Sequence, residues 1–109
     1  MAIKITVSDT VAIKVAGTYN DDSGAQPFDF TLQSRRLPPE DLRKRYQSAG
    51  ETVEEFLLSV VTGWRGVKDD DGDVPFTASA LQRLFRSYAN MPELAFAAYM
   101  ADIGAKAKN

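Results

Sequence analysis

Cysteine and histidine are both missing from this 109-residue sequence. Without cysteine there is no disulfide, thiolate metal cluster or redox dithiol, so packing alone must hold the fold, and a cytoplasmic location is expected. Without histidine, the commonest general base and the commonest transition-metal ligand are lost together. No run approaches the roughly 18 apolar residues that span a bilayer, and Met1-Ala2-Ile3-Lys4 lacks the apolar core of a secretion signal, so no membrane partner is expected. Neither sign of charge is in large excess. Thirteen Lys and Arg against 15 Asp and Glu leave a formal net charge of −2, which offers no overall attraction to a phosphate backbone, and nucleic acid is not an expected partner. A glycine-rich phosphate loop, a nucleophile elbow and a metalloprotease motif are all absent, so neither an enzyme nor a cofactor is expected. By elimination, a protein partner is expected.

What the chain does contain is ordinary globular material, 44% hydrophobic and 26% charged, in the length range of one domain. Ile3, Ile5 and Val7 alternate with Lys4 and Thr6. After Ser8-Asp9-Thr10 the alternation resumes at Val11, Ile13 and Val15, which predicts strands over 3–7 and 11–16. Gly17 to Gly24 holds the turn-forming cluster Asn20-Asp21-Asp22-Ser23-Gly24, and Phe28, Phe30 and Leu32 place a third strand over 27–33. Pro38-Pro39 stops that strand and opens a helix that ends near Gly50. Thr52 and Glu55 have capping-box spacing ahead of a buried stripe of Phe56, Leu57, Val60 and Val61. Gly63 to Pro75 reads as a loop. Thr77 caps a helix with Leu81, Leu84, Phe85 and Tyr88 on its core face, and Asn90 closes it. Pro92 opens a last helix that packs Leu94, Ala95, Ala98, Tyr99 and Ala101 or Ile103 and ends at Gly104. The expectation is a single α+β domain over 1–104, with an N-terminal three-stranded antiparallel meander followed by about four helices, and a disordered polar tail over 105–109.

Three clusters invite a functional interpretation. Asp69, Asp70, Asp71 and Asp73 surround Gly72 as in an EF-hand, but the first and twelfth loop positions would be Val67 and Ala78, so a solvated acidic turn is preferred and no metal is expected. Arg35, Arg36, Arg43, Lys44 and Arg45 form a basic cluster beside Tyr46. Basic residues late in a helix are expected for dipole reasons, which favours a solvated face over a nucleic-acid surface. Trp64, the sole tryptophan, sits in Gly63-Trp64-Arg65-Gly66-Val67, where it either plugs the core or anchors a partner.

The series Trp64-Arg65-Gly66-Val67, Asp69 to Asp73, Val74-Pro75-Phe76-Thr77, and then a helix with Leu81 and Leu84, resembles the tail assembly chaperones of long-tailed bacteriophages, over about residues 56–104. The resemblance implies a protein that binds the tape measure protein, keeps it soluble, helps recruit the major tail tube protein, and stays in the bacterial cytoplasm, absent from the mature virion. Client contacts are expected on the surface around Trp64, Val67 and Phe76 or on the exposed faces of the last two helices, with self-association left open. The alternative is a structural subunit of the tail tube or connector, whose early strands would pair between copies. A small nucleic-acid-binding regulator that uses the basic cluster is a third.

The resemblance also implies a short form and a frameshifted, extended form. Ala107-Lys108-Asn109 is compatible with the slippery heptamer A-AAA-AAC if the codons are GCA, AAA and AAC, whereas a plain lysine-rich tail requires nothing of the codons. Sequencing the gene is expected to show that heptamer and an overlapping −1 frame; an AAG codon at Lys108, or no such frame, rules out slippage here.

Overall fold

Period-two alternation runs unbroken along two long strands, β1 (Thr10–Asp21) and β2 (Gly24–Arg35), in the computed structural model, which describes residues 2–6, 8–47 and 50–104. They pair antiparallel in continuous register from Thr10 opposite Arg35 to Asp21 opposite Gly24. The turn is only Asp22-Ser23: the Asp21 Oδ1 accepts from the Ser23 amide at 2.8 Å, and Gly24 takes a φ of 108° that a side chain would disfavour. The hairpin buries Ile13, Val15, Phe30 and Leu32 on one face and leaves Ala12, Lys14 and Ala16 in water on the other.

The sheet has a third strand, β3 (Val61–Arg65), antiparallel to β2 in the order β1-β2-β3, and four helices complete the α+β fold. The helices are α1 (Pro39–Gln47), α2 (Val53–Val60), α3 (Ala78–Ser87) and α4 (Met91–Ile103). The segments expected at 11–16 and 27–33 lie inside β1 and β2. The strand expected at 3–7 does not form over the described residues 3–6, and Ile3 and Ile5 are 93% and 99% exposed. The Arg36 amide donates to the Asp9 carbonyl at 2.7 Å, which adds one rung to the β1–β2 ladder beyond Thr10. The third strand comes instead from a segment expected as helix end and loop. Val61 leaves α2 and crosses directly into β3, and a bulge at Gln33/Ser34 absorbs the extra residue Thr62. The rest of the expected loop contains a small hairpin, β4 (Lys68–Asp69) with β5 (Gly72–Asp73).

Helix ends follow local chemistry. Thr52 Oγ1 accepts from the Glu55 amide at 3.1 Å and Thr77 Oγ1 from the Ala80 amide at 2.9 Å, each satisfying an otherwise orphaned donor. Asn90, at φ 67°, reverses the chain between α3 and α4, a left-handed conformation that asparagine tolerates. Leu57, Val60, Leu81, Ala95 and Tyr99 carry the helices onto the inner face of the sheet. Tyr99 is fully buried and donates through its hydroxyl to the Arg35 carbonyl at 3.0 Å. Among the described residues no helix is long and apolar enough to cross a membrane. The tail expected to be disordered, 105–109, lies outside the described residues.

Besides the Tyr99 hydroxyl, Ser34 is the one buried polar side chain among the described residues, and its hydroxyl has no hydrogen-bond partner among them. An unsatisfied buried hydroxyl costs about 1–3 kcal/mol, so Ser34→Ala is expected to be neutral or stabilising by up to ~1 kcal/mol. Leu57→Ala, which opens a cavity, is expected to cost ~2–5 kcal/mol. Urea denaturation checks both; a marked loss of stability in Ser34→Ala would show that the hydroxyl has a partner.

Candidate functional site

The three residues expected to bind protein are brought into one region, in different roles. Trp64 lies on β3 opposite Leu32, its indole N–H donates to the Val74 carbonyl at 2.8 Å, and the Phe76 ring meets it edge-on at 5.3 Å. Trp64 and Phe76 thus tie the β4–β5 hairpin to the core. This is closer to the plug than to the anchor. Gly66, at φ 84°, swings the chain off the sheet after β3, and Val67, whose carbonyl accepts from the Val74 amide at 3.0 Å, is left on the rim of an open surface. Trp64 and Val67 share the wall of a hollow of about 310 Å³ with Leu84 and Tyr88.

That hollow continues into an aromatic trough. Tyr19 and Phe28 are diagonal neighbours on the inner face of the hairpin, 6.3 Å between ring centroids, and Tyr88 leans on Tyr19 at 5.2 Å. Two further hollows, of about 220 and 420 Å³, share Tyr19, Phe28, Tyr88 and Met91 as walls, and Leu94 closes the larger one. The inner face of β1 and β2 extends toward the Asp22-Ser23 turn beyond the cover of α4, so its last aromatics stay half-buried. Gly17 makes room for the Phe28 ring: a Cβ there would sit 3.1 Å from it.

Sequence reasoning missed most of this trough. Tyr19 was assigned to a turn, and Tyr88 and Leu94 to core faces, but Tyr88 is 36% and Leu94 39% exposed. Tyr88 lies just past the end of α3 in extended conformation, where helical spacing no longer sets its direction. The available signal was the continued alternation Val15-Gly17-Tyr19, which keeps Tyr19 on the inner face.

The basic cluster disperses into structural contacts. Arg35 donates to the Ser59 carbonyl at 2.8 Å, and Arg36 to the carbonyls of Ser8 at 3.2 Å and Ile103 at 2.7 Å. Arg45 grips Glu51 with two donors, one at 3.0 Å, reaches Ser59 Oγ at 2.8 Å, and lies over the Phe56 ring at 5.0 Å from its centroid. Arg43 and Lys44 remain exposed. The aspartates form a turn in which Asp69 Oδ1 accepts from the Asp71 amide at 2.8 Å, and among the described residues no three acidic side chains converge as a metal site.

The hydrogen bonds from Arg45 hold the Glu51 carboxyl below its ordinary value. A carboxyl depressed by folding adds stability above its unfolded pKa, about 4.3, and that stability is lost as pH falls through the lower folded value. Glu51→Gln is therefore expected to lower stability at neutral pH and to flatten the acid limb of a stability–pH curve below about pH 4.3. An acid limb as steep as that of the parent protein would show that the pair does not couple to folding.

No family model matches this sequence, and neither a curated protein nor a solved structure matches it.

Proposed function

We propose that this chain is a non-catalytic, protein-binding assembly factor, a tail assembly chaperone of a long-tailed phage that binds and solubilises the tape measure protein and helps recruit tail tube subunits in the host cytoplasm. The observation that carries the binding function is the trough walled by Tyr19, Phe28, Val67, Leu84, Tyr88 and Leu94, half-exposed apolar groups beside one another on a protein with a net charge of −2. Side chains of this kind gain by losing water, and aromatic residues bring large rigid area with few rotamers to fix. Its fitting occupant is the apolar stripe of an amphipathic client helix, with anchors at three- and four-residue spacing, as in helix-in-groove recognition. The identity of the client rests on the sequence resemblance; the trough supplies the means.

Weak binding repeated along one long client suits such a chaperone, because many copies cover the client and each can leave as tube subunits arrive. Within the trough, Tyr88 and Val67 are the residues to test, since neither belongs to the buried core. Co-expression with the tape measure protein is expected to raise the client's soluble fraction, and Tyr88→Ala with Val67→Ser to abolish that gain with the circular dichroism spectrum unchanged. Loss of one such anchor costs about 2 kcal/mol, or about 30-fold in Kd. A client equally insoluble with and without the parent protein overturns the proposal, and finding this chain by mass spectrometry in purified particles favours the tube or connector subunit.

A further inference from the structure

β1 is an edge strand along its whole length. Because the two-residue turn makes Asp21 and Gly24 a hydrogen-bonded pair, the odd residues of β1 direct their backbone groups to β2 and the even ones, Ala12, Lys14, Ala16 and Thr18, direct theirs away. Pro27 agrees with this parity, since it lies opposite Thr18, where β2 needs no donor toward β1. Among the described residues no strand pairs with the outward edge.

Above that edge runs α4, antiparallel to β1, with Leu94 beside Gly17 and Tyr99 bonded to Arg35 opposite Thr10. One flank of α4 meets α2, where the Phe96 ring stands edge-on to Phe56 at 5.5 Å. The other flank holds no polar residue: Leu94 and Ala101 are exposed and Ala98 is half-buried. Open edge and apolar flank form a shelf about 10 Å long at 1.5 Å per helical residue. It is shaped for a strand with apolar side chains on one face.

The chain carries a segment with that alternation. Ile3 and Ile5, separated by Lys4, are 93% and 99% exposed, and strand geometry would set them about 7 Å apart on one face. We propose that Ala2–Thr6 of one copy adds as an antiparallel strand to the β1 edge of a second copy, and reciprocally, to form a two-fold dimer. With Lys4 opposite Ala16, Ile3 falls beside Gly17 and Leu94, and Ile5 beside Val15 and Ala98. Lys4 then shares a row with Asp29, which pairs with Ala16, whereas a shift of two residues sets Lys4 opposite Lys14, a repulsive pair. The register is self-complementary, with the two-fold axis beside Thr10. A five-residue extended segment exposes roughly 760 Å². If half of it docks, two arms and their two shelves bury roughly 1,500 Å², within the range of stable interfaces.

The absence of cysteine makes the test clean. A Lys4→Cys copy mixed with an Ala16→Cys copy in a glutathione buffer is expected to give a disulfide heterodimer in preference to either homodimer, since paired residues on adjacent strands lie within disulfide reach. The parent protein is expected to sediment as a dimer. Ile3→Ser with Ile5→Ser is expected to sediment as a folded monomer and to lower the heterodimer yield about tenfold, the ratio set by a loss of about 1.4 kcal/mol. Sedimentation of the parent protein as a monomer at all concentrations, a dimer untouched by the double serine variant, or equal cross-linking of Lys4→Cys to an Arg83→Cys copy overturns the proposal. So does a Lys4→Cys/Ala16→Cys chain that closes on itself at high dilution, which would place the strand on its own edge.

Discussion

Side chains alternate strictly along a strand, so pairing Asp21 with Gly24 across a two-residue turn commits every residue of β1 and β2 to a face. Ile13, Val15, Phe30 and Leu32 become floor for the helices, and Ala12, Lys14 and Ala16 become surface. A slip of one residue would exchange the two sets. It would bury Lys14 and Asp29 and expose most of the apolar floor, which is why the turn chemistry of Asp21, Ser23 and Gly24 matters far from the turn. The same register fixes which backbone groups of β1 face outward, so the core and the open edge have one cause.

The helices are fastened to that floor at its far end, away from the turn. Tyr99 bonds the Arg35 carbonyl, Arg36 bonds the Ile103 carbonyl, and Arg35 reaches Ser59 behind α2. Arg45 draws α1 onto α2 through Glu51, Ser59 and the Phe56 ring. Among the described residues, polar bonds between helices and sheet therefore gather where the sheet meets α1, α2 and the end of α4, while near the turn the hairpin is covered by apolar contacts, Tyr88 on Tyr19 and Leu94 over Gly17. An end covered by apolar side chains, with Tyr88 and Leu94 partly in water, can exchange solvent for a partner without breaking a hydrogen bond of the fold.

Local chemistry was legible in the sequence and distant pairing was not. Thr52, Thr77 and Pro92 announce helix starts within three residues of themselves, and those helices stand where expected. β3 sends no such signal: Val61-Thr62-Gly63-Trp64-Arg65 is short, holds a glycine and a bulge, and becomes a strand only because β2 offers an edge to it. Ile3 and Ile5 show the converse. Alternation marks a segment able to join a sheet but says nothing of which sheet, and the Asp9–Arg36 bond next to it links residues 27 apart in sequence. Of the site, Trp64, Val67 and Phe76 were found together because they lie close in sequence. Tyr19 and Phe28, joined to Tyr88 only by folding, were not.

Leu94 stands at the meeting of the two unfilled surfaces, and this links them physically. It closes the hollow that Tyr19, Phe28 and Tyr88 line, and it also touches the space above Gly17 where the shelf along β1 begins. An isoleucine seated at Gly17 would press on the Leu94 side chain and limit its rotamers, and so fix one wall of the trough. Binding at one surface would then change affinity at the other, by an equal factor in both directions, as any two sites that share a movable group must. The sign depends on which way Leu94 is pushed. A Leu94 pushed toward the trough narrows it and opposes a bulky client anchor, whereas a Leu94 held upright over Gly17 deepens it; exchange of the arm would accordingly tune client binding through one side chain.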